Sequence, residues 1–280
     1  MTAVTPSLPA ERRTRSMVSL YLTLMRTAVI DQFQYPVATY FYMIGMVAEP
    51  VIYLVVWETI AREQGGSVAG YTPGTFAAYY IVWTLVRNIN IVFTPYGWEY
   101  RIREGQLSGQ LLKPVHPIHY DLGWFAGSKV VWVIFWIPIA VVLSLLVQPE
   151  LDPTAQQILV FPFAIIGAYV LRTLYMWLLG MVTFWTTRVS ALFELVWVTE
   201  MLLSGRIVPL ALLPEWAQAI SWCLPFRWTF GFPITTLVGP IDNAELALGL
   251  CMQLAWIVAC ALAVRGFWRV SIRRYTAVGG

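Results

Sequence analysis

Seven polar side chains interrupt long apolar stretches of this sequence, and their types suit them to chemistry inside a membrane. They are Glu49, Arg87, Asn88, Asn90, Arg172, Glu194 and Glu200. A charged group near the centre of a bilayer costs about 2.5–3.5 kcal/mol on insertion scales, so it normally faces a partner or water. These residues therefore indicate either a polar path across a membrane or structural ion pairs between helices, in which Arg87 or Arg172 meets a glutamate.

Signatures of catalysis are missing from the sequence. Neither the GxxxxGK[ST] pattern that binds nucleotide phosphates nor the HExxH zinc motif occurs. The two histidines, His116 and His119, are too few for a metal site, and we interpret them as interface residues. The three cysteines show no metal or CxxC spacing. We therefore expect that this chain is not an enzyme and binds no metal or cofactor of its own.

The composition is typical of a polytopic membrane protein. Hydrophobic residues make up 59% and charged residues 12% of the 280 residues, against about 25% charged residues in a globular protein. A membrane-spanning helix needs about 20 mostly apolar residues. Six segments meet this requirement: 37–60, 75–93, 121–147, 157–185, 189–210 and 244–267. We expect an all-α fold in one transmembrane domain, and the net charge of +3 gives no support for a nucleic-acid partner.

The segment 17–35, before the first span, has polar side chains at helical spacing along one face. They are Ser19, Thr23, Arg26, Thr27, Asp31 and Gln34. This pattern predicts an amphipathic helix that lies in the membrane interface, with a weak additional span as the alternative. Within the first span, Pro50 follows Glu49 and predicts a kink.

The basic residues near the ends of the spans predict the orientation of the chain. With the N-terminus inside, the cytoplasmic side collects Arg12, Arg13, Arg15, Arg26, Arg101, Arg103, Lys113, Arg188, Arg265, Arg269, Arg273 and Arg274. The other side has only Arg62, Arg206 and Arg227. Because cytoplasmic loops carry an excess of lysine and arginine, both termini and the loop between the second and third spans are predicted to be cytoplasmic.

That loop, residues 98–117, contains the stretch REGQLSGQLLKPVHP and has more structure than a connector needs. The second span is predicted to continue from residue 95 as a helix that ends at Gly105, and a short helix over 106–113 follows. Leu107 and Leu111 share one face of this short helix, and Leu112 is adjacent. Such an amphipathic helix suits either a groove on another protein or the lipid surface.

The segment 204–240, after the fifth span, is apolar and is broken by prolines and glycines. An irregular backbone exposed to lipid would leave peptide groups without hydrogen-bond partners, so this segment must pack against protein or line a cavity. We predict a re-entrant or interfacial helical hairpin on the external side. Its apolarity disfavours an ordinary external loop.

Two of these segments resemble elements of the permease subunits of ABC-2-type exporters, in the six-span branch of that family. IREGQLSGQLLKPVHP, residues 102–117, is similar to the G-x-L-x-x-x-L-L-x-P element that follows the second span. LLSGRIVPLALLPEWAQAISWCLPF, residues 202–226, is similar to the SG…P-L…LP…LPF passage after the fifth span. The N-terminal helix, the number of spans and the orientation agree with the family over nearly the whole chain.

The resemblance implies a complex of two permease subunits, identical or paralogous, with a cytoplasmic ATPase dimer that binds ATP and Mg²⁺. The element after the second span would couple to the ATPase through Arg101, Arg103, Glu104, Gly105, Leu107, Leu111, Leu112 and Lys113. We expect its leucines to fill a groove on the ATPase, with the basic residues at the rim. The external hairpin would close the outer mouth through Ser204, Gly205, Pro209, Pro214, Pro225 and Phe226.

Three functions are compatible with these features. The first is the membrane-spanning subunit of an ATP-driven exporter in the bacterial inner membrane, in contact with its lipids. The alternatives are an ion-coupled secondary transporter and a membrane assembly or anchor subunit that transports nothing. The apolar and aromatic content permits a lipid-like or amphipathic cargo, but aromatic belts at the membrane interfaces account for it equally well.

Overall fold

The computed structural model describes residues 10–34, 36–186 and 188–275. Within these ranges the chain forms eleven α-helices joined by short loops and 3-10 turns, and no strand. The helices are α1 (Ala10–Gln34), α2 (Pro36–Glu63), α3 (Pro73–Ile89), α4 (Pro95–Arg103), α5 (Gln106–Leu111), α6 (Pro117–Val147), α7 (Ala155–Met181), α8 (Ser190–Leu203), α9 (Glu215–Trp222), α10 (Gly231–Val238) and α11 (Asn243–Ser271). The all-α class is therefore confirmed for the described residues.

Three of the described helices are long and apolar enough to cross a membrane. They are α6, α7 and α11, the last two with their 3-10 extensions. Each contains one of the predicted spans 121–147, 157–185 and 244–267, apart from Trp185 at the end of the second. The 31 residues of α6 exceed a hydrocarbon core of about 30 Å at about 1.5 Å per residue. The chain is thus an α-helical membrane protein.

Of the other predicted spans, the first agrees with a helix that forms and the second does not. The first span lies within α2, where Pro50 occurs inside a continuous helix. The second span was expected to run over 75–93 and on into the cytoplasmic helix, which is wrong because α3 ends at Ile89. The segment 91–94 is not helical, and α4 begins only at Pro95. Proline disfavours helical geometry in the preceding residue, which accounts for the break on the α4 side.

The predicted fifth span is also shorter than expected. A helix over 189–210 is wrong, since α8 ends at Leu203. Gly205 has a φ of +85°, in the left-handed region that ends helices, and Pro209 follows. The 14 residues of α8 cover about 21 Å at about 1.5 Å per residue, less than the hydrocarbon thickness.

The N-terminal helix α1 packs along α6. A Cβ at Gly127 would lie 2.4 Å from the carbonyl oxygen of Met25, so the absence of a side chain permits this close approach. The hydroxyl of Tyr21 is hydrogen-bonded to Nδ1 of His119 at 2.9 Å and adds a polar link between the two helices. The face of α1 away from α6 exposes Val18, Leu22, Ile30 and Phe33, which is typical of a helix that contacts lipid. Tyr35, the last residue of the predicted interfacial helix, is outside the described residues.

The helix α7 contributes to both hydrophobic clusters of the bundle. One cluster joins α7 to α4, α11 and the turn 225–228, and its fully buried residues include Trp98 and Trp177. The other surrounds α3 and includes Phe76 and Trp83. Trp98 of α4 lies against Gly180 of α7, where a Cβ would meet the indole ring at 1.9 Å. The element predicted to be cytoplasmic is therefore attached directly to α7, a helix long and apolar enough to span a membrane.

Replacing Gly127 by valine tests the contact between α1 and α6. The new side chain would collide with the backbone of α1, so we expect a loss of about 1–3 kcal/mol in the free energy of unfolding. The measurement is the apparent Tm of the purified protein in detergent. Gly266→Val is the matched control, because Gly266 is also helical and has no heavy atom within 4 Å of its Cβ position. Equal decreases in Tm for the two variants would contradict this packing.

Candidate functional site

An ion pair between Arg172 of α7 and Glu200 of α8 forms the centre of the polar residues inside the bundle. Nε and Nη2 of Arg172 donate to the two carboxylate oxygens of Glu200 at 2.9 and 2.8 Å. Tyr175 also donates its hydroxyl hydrogen to Glu200, which is fully buried. A carboxylate with three donors from two side chains is well compensated for its loss of water.

The broken end of α3 supplies acceptors to two cations. Nη1 of Arg172 donates to the carbonyl of Asn90, and Nζ of Lys129 donates to the carbonyl of Ile91. The last carbonyls of a helix have no partner within the helix and carry the negative end of its dipole. Arg172 and Lys129 therefore provide hydrogen-bond donors to carbonyls that the break after α3 leaves without helical partners. In return, the partial negative charge of these carbonyls stabilises the two cations.

Lys129 is a residue that our sequence analysis missed. Its side chain is buried in α6, with the rings of Phe125 and Tyr169 about 5.4 and 5.6 Å away, and within the described chain no carboxylate oxygen lies within 4 Å of Nζ. The available signal was its position as a single lysine in the apolar stretch 121–147. Its partner is a backbone carbonyl from another helix, which no sequence pattern marks.

A second charged group joins α2, α3 and the segment after α8. Glu49 pairs with Arg87 at 2.7 Å between Oε2 and Nη2, and its other oxygen lies 3.7 Å from Arg206. The sequence analysis counted Arg206 on the external side, at the start of the predicted hairpin, and in the structure its side chain is only 13% exposed. The fully buried ring of Phe230 is near both groups, with its centroid 5.3 Å from the guanidinium carbon of Arg172 and 5.9 Å from that of Arg206.

The remaining candidates do not join one site. Asn88 donates to the carbonyl of Thr84 in its own helix, at 2.6 Å. The side chain of Asn90 donates to the carbonyl of Thr229 at 2.6 Å and so ties α3 to the segment before α10. Glu194 is exposed and accepts a hydrogen bond from Tyr96 at 2.6 Å, away from both charged groups. The structure thus gathers the side chains of four of the seven candidates into two groups, and the backbone carbonyl of Asn90 joins the first of them.

The segment predicted as an external hairpin contains α9, α10 and two 3-10 turns, and it packs against the bundle. The hydroxyls of Tyr79 and Tyr80 on α3 donate to the carbonyls of Gly205 and Ile207 at 2.5 and 2.7 Å. These bonds give hydrogen-bond partners to carbonyls of an irregular backbone, which would otherwise lack them inside a membrane. The predicted gate residues lie at the ends of helices or turns: Ser204 after α8, Pro209 and Pro214 around the turn 210–212, and Pro225 and Phe226 in the turn 225–228. Ser204 and Phe226 are buried.

The predicted turn at Gly105 is present in the cytoplasmic element. Gly105 has a φ of +65° and separates α4 from α5, which ends at Leu111. The predicted orientation of the leucines is wrong for Leu107, because this side chain is fully buried in the chain's own core. Leu111 is partly buried against the same core, whereas Leu112 is 89% exposed.

The prediction that Arg101 lies at an exposed basic rim is also wrong. It is buried, and Nη1 donates to Oδ2 of Asp121 on α6 at 2.9 Å while Nη2 bonds the other oxygen. Trp177 of α7 donates to the same carboxylate at 3.0 Å. This arrangement joins α4, α6 and α7. The exposed members of the predicted coupling set are therefore Arg103, Glu104, Leu112 and Lys113.

His116 is a structural residue at the start of α6. Its Nδ1 accepts from the N–H of Ile118 at 3.3 Å, and its ring centroid lies 4.5 Å from that of Trp268. Burial, with a smaller effect from His119, lowers the pKa of His116 to about 4. The imidazole is therefore neutral at physiological pH, as an acceptor nitrogen requires. Among the described residues no group of three or more His, Cys, Asp or Glu is arranged to hold a metal ion.

Comparison with known proteins decides among the functions that this arrangement permits. A family model described as ABC-2 family transporter protein matches residues 47–279. The chain belongs to the ABC-2 transporter family. The match includes both charged groups, the cytoplasmic element and the segment 204–240. No curated protein matches the chain.

Family membership gives the polar groups a context. An ABC-2 family member of this kind is a multi-pass membrane permease of an ABC transporter, a component that is generally not itself catalytic. The resemblance seen in the two sequence segments is confirmed.

Replacing Arg172 by alanine tests the role of the central ion pair. The fully buried Glu200 would lose its cationic partner, and breaking a buried pair costs about 3–5 kcal/mol. We expect a lower level of the protein in the membrane, measured by quantitative immunoblot. The double variant Arg172→Met with Glu200→Met removes both charges and should recover part of that level. Normal accumulation of Arg172→Ala with loss of transport would instead assign Arg172 to the translocation path.

Proposed function

We propose that this chain is the membrane-spanning subunit of an ATP-driven exporter. In this proposal, α2, α3 and α8 cross the membrane together with α6, α7 and α11 to make six spans. The hairpin after α8 completes the crossing that its 14 residues begin. The termini are cytoplasmic, in accordance with the positive-inside rule, and the membrane is the bacterial inner membrane.

The observation that carries this proposal is the family match over residues 47–279 in a chain without a nucleotide-binding motif. An ABC transporter uses ATP, so a separate cytoplasmic ATPase dimer must bind the ATP and Mg²⁺. A second permease subunit, a copy or a paralogue, completes the translocation path. The exposed apolar face of α8, formed by Leu192, Leu195, Val198 and Leu202, is available to that subunit or to lipid.

The tip of the cytoplasmic element is the surface that we assign to the ATPase. We define this coupling tip as Arg103, Glu104, Leu112 and Lys113, the exposed members of the predicted coupling set, which flank α5 on both sides. Leu112 is an isolated apolar side chain with charged neighbours, the composition of an interface anchor with a polar rim. Its 89% exposure leaves almost the whole side chain free for a partner.

The attachment of the coupling tip allows a movement there to reach the bundle. Arg101 connects α4 to Asp121 of α6, and Trp98 packs against Gly180 of α7. Immediately before α4, the segment 91–94 connects this helix to the carbonyls of Asn90 and Ile91, which accept from Arg172 and Lys129. We infer that a displacement of α5 by the ATPase moves α4 as a rigid body and changes the contacts of the central ion pair.

Transport and mere anchoring make different predictions for the purified complex. An exporter subunit changes the ATPase rate of its partner when cargo is added, whereas an anchor leaves that rate unchanged. Variants of the central ion pair that still accumulate would abolish this stimulation in an exporter. In an anchor they would have no effect on the rate.

Cysteine labelling tests the proposed orientation. In a background with Cys223, Cys251 and Cys260 replaced by serine, Ser108→Cys and Ser67→Cys each provide one exposed thiol. We expect an impermeant maleimide to label residue 67 in intact cells and residue 108 only after the cells are opened. Labelling of residue 108 from outside would reverse the orientation.

Replacing Leu112 by aspartate tests the coupling tip. Burial of a leucine contributes about 1.5–3 kcal/mol, and each 1.4 kcal/mol is about tenfold in affinity. We therefore expect the variant to bind the ATPase at least about tenfold more weakly, measured by co-purification relative to the amount of inserted permease.

Two variants control this experiment. Leu151→Asp changes an exposed leucine in the loop after α6, on the predicted external side, and should leave ATPase binding unchanged. Leu107→Asp buries a carboxylate in the core and should deplete the permease itself. Unchanged ATPase binding by Leu112→Asp would remove the coupling tip from the interface.

A further inference from the structure

A cavity lies between the hairpin segment and the start of α11, apart from both charged groups described above. Its volume is about 360 Å³, within the range of about 300–1,000 Å³ of small-molecule pockets. We call it the hairpin cavity. Its apolar lining comes from α9, α10, α11 and the turns between them, and it includes Leu210, Trp222, Trp228, Phe232 and Leu248.

One cation, Arg227, lines the hairpin cavity. Its guanidinium carbon lies 4.3 Å from the ring centroid of Trp222 and 5.7 Å from that of Trp228. Within the described chain no carboxylate oxygen lies within 4 Å of its nitrogens. Burial lowers the pKa of Arg227, but arginine remains charged in proteins. A positive charge is thus held in a partly buried aromatic setting without an acidic partner.

The nearby carboxylate in the cavity lining is engaged elsewhere. Glu245 accepts the backbone N–H of Asp242 at 3.2 Å, and Asp242 in turn accepts the N–H of Glu245 at 2.7 Å. This reciprocal capping box fixes Glu245 at the N-terminus of α11. The capping box holds Glu245 at the helix end, from where it acts on Arg227 through its charge and not through an ion pair, so the guanidinium of Arg227 keeps its donors for a ligand.

We infer that the hairpin cavity binds an amphipathic anion. A phosphate or carboxylate group pairs with Arg227, and a short apolar chain lies along Trp222, Trp228 and Phe232. Arginine suits this role because its planar donors match the geometry of both kinds of anion. The site belongs to this chain alone, so the inference requires neither a second permease nor the ATPase.

Binding of octyl phosphate tests the inference. The full chain in phosphatidylcholine nanodiscs is titrated with octyl phosphate, and octyl glucoside serves as the uncharged probe with the same tail. We expect Arg227→Gln to weaken octyl phosphate binding at least about tenfold and to leave octyl glucoside binding unchanged. Arg62→Gln is the matched control, since Arg62 is an exposed arginine on the same predicted side that lies outside the cavity and already pairs with Glu58.

A second variant separates ligand binding from folding. Arg227→Lys keeps the charge but loses the fork of donors, so we expect it to retain part of the affinity for octyl phosphate. Size-exclusion profiles establish whether each variant is folded. If folded Arg227→Gln binds octyl phosphate as well as the original chain, or if neither binds it, Arg227 serves only to pack against Trp222 and the inference is wrong.

Native mass spectrometry distinguishes the two sources of such an anion. The chain is released from phosphatidylglycerol or phosphatidylcholine nanodiscs, and the retained lipid is identified. Retention of phosphatidylglycerol that Arg227→Gln abolishes identifies a lipid headgroup as the ligand. Binding of octyl phosphate without retained lipid identifies a soluble amphiphile. Because neither measurement involves ATP, failure here would leave the proposed exporter function intact, and failure of export would leave this site intact.

Discussion

The polar backbone of an interrupted helix must find hydrogen-bond partners inside the bundle, and the rest of this structure depends on how that is done. When α3 ends at Ile89, its last carbonyls have no partners in the helix. Arg172 and Lys129, each from the middle of an apolar helix, donate to the carbonyls of Asn90 and Ile91. The same contacts supply partial negative charge to two cations that hydrocarbon alone would exclude.

This arrangement links the centre of the bundle to the end at which α4 and α5 lie. Glu200 brings α8 to Arg172, and the side chain of Asn90 brings in the segment before α10. Below the interruption, α4 is held to α6 by the bond between Arg101 and Asp121. Because bidentate ion pairs constrain orientation as well as distance, these helices can move relative to one another only by exchanging partners. Discrete changes of this kind suit a permease that alternates between states.

Hydropathy and local motifs predicted much of the fold from sequence, and tertiary pairing accounts for what they could not predict. The spans 121–147 and 244–267 and the left-handed turn at Gly105 required only composition and spacing. The early end of α8 was hidden because the residues after Leu203 are as apolar as those before it. The spacing of Leu107 showed an apolar stripe but not which surface covers it. Lys129 was missed because its acceptor is a distant carbonyl.

The ring of Phe230 has a consequence for the membrane as an electrical insulator. Its centroid lies 5.3 Å from the guanidinium carbon of Arg172 and 5.9 Å from that of Arg206, and the ring is fully buried. An aromatic ring neither donates nor accepts a proton. It therefore cannot form a step in a chain of hydrogen bonds that would transfer protons between the two groups. A cell stores energy as a voltage across its membrane, at about 2.3 kcal/mol per charge for each 100 mV. A continuous chain of hydrogen bonds across the membrane would conduct protons and dissipate that energy. A buried apolar ring beside both charged groups therefore favours an interior that does not conduct protons.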